Sequence, residues 1–123
     1  MNLHDTILAA DDLPREKIEV PEWPGVELYV RTMSGVELAR LQDVYANAKS
    51  SLADKTATLA VLTLCDAAGT RIFSDEDTAA VAGKSGKALQ RVAEVAHRLN
   101  ALTEAEAKDI EKNSVAAPSG GSG

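Results

Sequence analysis

The hydrophobic positions of this chain change their period several times, and each change predicts a different element. Residues 3–10 carry Leu and Ile on one side of a short helix, which ends at the acidic and proline residues of 11–14. Apolar and polar residues then alternate over 17–20 and again over 26–31, with the turn 21–25 between them. This alternation predicts a β-hairpin in which Val26, Leu28 and Val30 point inward.

A helical period begins after residue 34. Ser34 and Glu37 fit a capping box, in which the serine hydroxyl accepts a free backbone N–H and the glutamate reaches back to the cap. Apolar residues at helical spacing extend this helix to about residue 50. Three more capped helical segments are predicted, one between Ser74 and Gly83, one from Ser85 through Leu99, and a short one from Thr103 to about Lys112.

The most apolar run of the chain covers residues 56–65. Its Thr and Val content favours a strand, and a turn at 66–69 followed by 70–73 would supply a return strand. We therefore predict a second β-hairpin here. Periodicity alone does not decide so apolar a run, and a helix that continues from the previous one is the alternative.

Together these elements predict an α+β fold, a small single domain with two short β-hairpins packed against about four helices. A length of 123 residues fits one domain. We expect a short helix and linker over 1–16, a core over 17–112, and a flexible tail over 113–123, where Gly and Ser leave little apolar surface to bury.

Composition restricts the classes of partner. Thirteen basic and nineteen acidic residues give a net charge of −6, which disfavours nucleic acid and anionic membranes as partners. Neither a membrane-spanning segment nor a signal peptide is evident, so we expect the protein in the cytoplasm where it is made. Cys65 lies in an apolar run and is expected to be a buried, reduced thiol.

Candidate chemistry is sparse. The two histidines, His4 and His97, have no further ligand at metal-binding spacing, so we predict no metal site. The sequence GKSGK at 83–87 lacks the spacing of a phosphate-binding loop and is better explained as a joint between two helices. No catalytic residue or cofactor is predicted, and the chain is not expected to be an enzyme.

Apolar surface is the more promising feature. Trp23 lies in the predicted turn between prolines, where its ring either faces a partner or folds back over one end of the hairpin. Open hairpin edges and helical stripes offer further contact area. The candidate partner-surface residues are Trp23, Tyr29, Leu89, Val92 and Leu99.

Several of these segments, taken in order, resemble the phage tail assembly chaperone family of lambda-like bacteriophages and prophages with long non-contractile tails. The resemblance covers about residues 7 to 118 and is weakest over 38–60. Its motifs concern packing and turns rather than chemistry. They are ILAADDLP at 7–14, VPEW at 20–23, YVRTMSGVE at 29–37, DAAGTRIFSDED at 66–77, KSGKALQRVAEVAHRLNALTEAE at 84–106 and KNS at 112–114.

The resemblance implies a chaperone that binds and solubilises the tape measure protein and helps recruit tail tube subunits during tail morphogenesis. It implies action in the host bacterial cytoplasm, absence from the mature virion, and a longer form of the protein made by programmed frameshifting as a further partner. Assembly along an extended client suits a subunit that self-associates weakly, head to tail. The alternatives are a structural, neck or tail-completion protein of the virion and, less favoured, an acidic decoy inhibitor of a host nuclease.

Overall fold

The computed structural model describes residues 2–100, so the helix predicted from Thr103 and the tail 113–123 lie outside the described residues. The described part is an α+β domain with a three-stranded antiparallel sheet and five α-helices. In chain order the elements are α1 (Leu3–Ala9), β1 (Arg15–Ile18), β2 (Leu28–Arg31), α2 (Gly35–Ala46), α3 (Leu52–Thr63), β3 (Leu64–Cys65), a 3₁₀ turn (Asp75–Asp77), α4 (Thr78–Ala82) and α5 (Gly86–Leu99).

The first hairpin is confirmed. β1 and β2 pair antiparallel, from Arg15 opposite Arg31 to Ile18 opposite Leu28. β1 begins two residues earlier than the alternation at residue 17 suggested. The prediction for Val26 was wrong, because β2 begins only at Leu28 and the Val26 side chain lies in the preceding loop, 52% exposed.

The second hairpin was largely wrong. Most of the 56–65 run belongs to the helix α3, and only the two-residue strand β3 remains extended, paired with β2. A single bridge between Cys65 and Arg71 replaces the expected return strand. The helical alternative was right about the type of element, although α3 is a separate helix from α2.

Two features explain why this run is helical. Ser51 and Asp54 form a capping box that starts α3 just beyond the predicted end of the preceding helix at about residue 50. The hydroxyls of Thr58 and Thr63 donate to the carbonyls of Asp54 and Leu59, each at 2.7 Å, so the threonines are satisfied inside a helix. Because every residue from 57 to 63 is buried, this part of α3 has no polar face and its sequence shows no amphipathic period.

The buried helix α3 is the centre of the core. It contacts α2, α4 and α5, while α5 also lies against β1 and β2. The largest fully buried side chains are Leu41, Leu59, Leu62, Leu64, Val30, Val61, Val92, Thr63 and Cys65.

An ionic cluster joins α2 to the sheet and to the 3₁₀ turn. The Glu37 carboxylate accepts from Arg31 at 2.5 Å, lies 3.6 Å from Arg71, and also caps α2 through the Ser34 backbone N–H. Arg71 donates in turn to Asp75 at 2.9 Å. The predicted capping box at Ser34 is thus confirmed, and its glutamate has a second, tertiary role.

Candidate partner-binding surfaces

The long loop between β1 and β2 forms one wall of an open apolar groove. The Trp23 groove, as we call it, lies between this loop, the segment after β3, and α4. Leu28, Leu64 and Val81 form its floor, while Val26 and Ile72 flank it with 52% and 45% of their surfaces exposed. Its defining residues are Trp23, Val26, Leu28, Ile72, Phe73 and Val81.

Local interactions fix the loop that carries Trp23. The Trp23 N–H donates to the Val20 carbonyl at 2.9 Å and closes a turn. Gly25 adopts a φ of +78°, a conformation that favours glycine and reverses the chain toward β2. The Glu22 carboxylate accepts from Arg91 of α5 at 3.1 Å, which fixes the loop to the helical layer.

The chemistry of the Trp23 groove is that of a binding surface. Its polar lining comes from Asp77 and Lys84, one acid and one base. Trp23 and Phe73 are partly buried against the core, so each ring is held in place while part of its surface faces the groove. Such a groove can accept apolar side chains of another polypeptide.

A second groove runs between the N-terminal half of α3 and the outer side of α5. The lysine groove is defined by Leu52, Ala53, Lys55, Lys87, Ala93 and Glu94, and Lys84 lies at its end nearest the Trp23 groove. Small residues line much of it, and Leu52 is 71% exposed beside them. Three lysines and one glutamate line it among the described residues, which makes it locally basic in an acidic chain.

The structure does not bring the five candidate residues into one surface. Trp23 lines the groove named after it, whereas the half-buried Tyr29 of β2 alternates with the buried Leu28 and Val30. Leu89 and Val92 are 4% and 0% exposed and belong to the core.

Leu99 is partly exposed at the end of α5, next to Met33 and Leu38. Asn100, just beyond it, fixes this end of α5 by accepting from the Met33 N–H at 2.7 Å. The role of each candidate residue in partner binding remains a prediction.

Sequence reasoning missed Val26, Ile72 and Phe73 as groove residues. Val26 was assigned to the inner face of a strand, and the segment containing Ile72 and Phe73 was assigned to a return strand. The available signal was the glycine before Val26, which indicates that the loop extends at least to that position.

The two histidines considered as metal ligands lie in different parts of the structure. His4 contacts Asp5 at 2.9 Å on the surface, and His97 lies on α5 at the lysine groove. Among residues 2–100, no three His, Cys, Asp or Glu side chains converge to hold a metal ion. Burial raises the pKa of the Cys65 thiol, which disfavours its reactive thiolate form.

The GKSGK segment is a joint between helices. Gly83 is the C-cap of α4, and the Ser85 hydroxyl accepts from the Ala88 N–H at 3.2 Å as the N-cap of α5. No helix within the described range combines the length and the apolar character needed to cross a bilayer.

The described residues form a small α+β domain with open apolar grooves, the kind of surface by which one protein binds another. The family model described as phage tail assembly chaperone matches residues 2–113, and the chain belongs to this family. Among solved structures, the fold is similar to that of the bacteriophage HK97 tail assembly chaperone, with a TM-score of 0.59 and 23% identity over 82% of this chain and 93% of that one. The chain matches no curated protein sequence.

Proposed function

We propose that this chaperone binds and solubilises the tape measure protein and helps to recruit tail tube subunits during tail morphogenesis. Membership of the tail assembly chaperone family supports the general role. The Trp23 groove is the main support for the proposal, because a protein that keeps a hydrophobic client soluble must bind it through apolar surface. The net charge of −6 keeps the chaperone itself from precipitating.

The proposed action is non-covalent. The groove lining consists of apolar side chains with Asp77 and Lys84 at its polar positions, and it places no activated nucleophile beside a bound segment. The affinity for the client then depends on how many of its side chains enter the groove. The client is released when tube subunits bind it.

The remaining parts of the proposal follow the biology of tail assembly. The protein acts in the host bacterial cytoplasm, is absent from the mature virion, associates weakly with itself, and has a frameshifted longer form as a partner. Mass spectrometry of purified virions tests the second point, since an abundant peptide signal from this chain would indicate a structural protein instead. A slippery heptamer and an overlapping frame in the gene would support the longer form.

Co-expression with the tape measure protein of the same phage genome tests the central claim. We expect the tape measure protein to be soluble with the wild-type chain and to become largely insoluble with the double variant Val26→Ser, Ile72→Ser. Both side chains are substantially exposed, so their replacement leaves the core intact.

Val36→Ser is the matched control for this experiment. Val36 is 73% exposed on α2 and does not line the Trp23 groove. We expect it to solubilise the client as well as wild type does. A wild-type chain that leaves the tape measure protein insoluble would refute the function, whereas a double variant equal to wild type would remove the Trp23 groove as the client site.

A further inference from the structure

The N-terminal helix α1 carries an apolar stripe that no other element between residues 2 and 100 covers. Leu3, Ile7 and Leu8 are 79%, 64% and 74% exposed, and the other residues of α1 are exposed as well. Leu3 and Ile7 lie one turn apart on the same side of the helix, and Leu8 extends that side. A helix with such a stripe normally buries it against another surface.

The charged residues of α1 and of the segment directly after it are acidic, and one of them, Asp11, lies 3.7 Å from Arg15 of β1. Between residues 2 and 12 the chain has Asp5, Asp11 and Asp12 and contains no Lys or Arg. A docking surface for α1 should therefore combine an apolar floor with basic residues at its edges.

The lysine groove has these properties. Lys55, Lys84 and Lys87 line it against the single acid Glu94 among the described residues. Ala53 and Ala93 are small enough to let a second helix approach closely, and the aliphatic stem of Lys55, a residue only 7% exposed, adds to the apolar floor. The Trp23 groove lacks this complementarity, since its lining has one acid and one base.

We propose that α1 of one copy docks into the lysine groove of a second copy. The inference deepens the weak self-association of the proposed function by assigning its two surfaces. Because α1 and the groove are different surfaces, the contact is heterologous, and each added copy leaves one α1 and one groove free for the next. A helix of seven residues buries little area, so the association is weak and depends on concentration.

Sedimentation velocity over a concentration series, with the full chain, tests the assignment. In the first variant, Ile7→Ser with Leu8→Ser removes the stripe and leaves the groove. In the second variant, Ala53→Glu with Lys87→Glu removes the groove and leaves α1; both positions are exposed on helices. We expect each variant alone to associate at least about tenfold more weakly than wild type, since either change removes the contact.

Mixing the two variants gives the decisive measurement. The groove of the first variant accepts the α1 of the second, so an equimolar mixture should form a heterodimer that does not grow further. Isologous pairing of α1 with α1 predicts no such complex, and docking of α1 within its own chain predicts a monomer at every concentration. Either result, or a wild-type chain that stays monomeric, would overturn the proposal.

The double variant Ala39→Glu, Lys17→Glu is the control for the groove variant. It makes the same two substitutions at exposed positions that do not line the lysine groove, and we expect wild-type association. Rising salt should weaken the wild-type contact, because Asp and Lys meet across it. Failure of this proposal leaves client solubilisation unaffected, so the co-expression result distinguishes it from failure of the proposed function.

Discussion

The helices α1 and α5 have similar sequence signals, but α5 packs into the core and α1 lies on the surface. Each begins at a side-chain N-cap, Asn2 for α1 and Ser85 for α5, and each carries apolar residues on one side. α5 buries Ala88, Leu89, Val92 and Ala96, whereas no residue of α1 is buried by the part of the chain that the structure describes. The difference shows that capping and periodicity determine where a helix forms and which side is apolar, but not what covers that side.

The largest expected effect comes from the same substitution on the two helices. Leu89→Ala should lower the free energy of unfolding by about 2–4 kcal/mol, because Leu89 is 4% exposed and its removal leaves a cavity in the core. Leu8→Ala should change it by less than about 0.5 kcal/mol, because Leu8 is 74% exposed. Urea denaturation at low protein concentration measures both values without a contribution from self-association.

The comparison fails if Leu8→Ala costs as much as Leu89→Ala under these conditions. That outcome would mean that α1 packs against its own chain in solution. A cost for Leu8→Ala that appears only at high protein concentration would instead agree with docking between copies.

The ion pair between α2 and the sheet is also more buried than the ion pair beside α1. Glu37 accepts from Arg31 with both side chains only 13–14% exposed, whereas the Asp11–Arg15 pair beside α1 has a separation of 3.7 Å and an Asp11 side chain that is 75% exposed. We expect Glu37→Gln to cost about 2 kcal/mol, since it weakens a charge-assisted bond to the sheet and the cap of α2. Asp11→Asn should cost less than about 0.5 kcal/mol.

Thermal unfolding followed by circular dichroism compares the melting temperatures of these two variants. Gln and Asn are nearly the same size as Glu and Asp, so the packing stays the same. Equal melting temperatures for Glu37→Gln and wild type would show that the cluster around Glu37 contributes no net stability. The interpretation of α2 as anchored through this carboxylate would then be wrong.

Much of the fold follows from local signals in the sequence. The caps at Ser34 and Ser85 and the alternation at Leu28 and Val30 each report an interaction made within a few residues. The 56–65 run was misassigned because its environment is tertiary: a helix buried on all sides has no polar face to reveal its period.

The candidate site was less predictable for the same reason. Trp23 was found because a large aromatic in a turn is conspicuous, but its partners Ile72 and Phe73 come from a segment almost fifty residues later. The lysine groove likewise joins α3 to α5, so no local pattern contains it. Leu89 and Val92 illustrate the converse, since a regular stripe identifies the face that is used for packing.

The smallest expected effect concerns how α5 is fixed to the first hairpin, a connection for which the described part of α1 shows no counterpart. Arg98 donates to both carboxylate oxygens of Glu16, at 3.1 and 2.6 Å, and these hydrogen bonds lower the pKa of Glu16 below its ordinary value of 4.5. The folded state therefore favours the ionised carboxylate. This contribution to stability is present above the unfolded pKa and disappears as the pH falls through the lowered folded value.

The substitution Arg98→Gln tests the ion pair between Arg98 and Glu16 separately from the other ion pair of α5, between Arg91 and Glu22. Glu22 also has a lowered pKa, first through a backbone hydrogen bond of its own and then through Arg91, so the substitution should leave it unchanged. We expect an NMR titration of the side-chain carboxyls to show the pKa of Glu16 rising toward 4.5 in the variant, with that of Glu22 constant. If Glu16 instead titrates as in wild type, the ion pair does not form in solution, and α5 is held to the hairpin by its buried face and by the contact between Arg91 and Glu22.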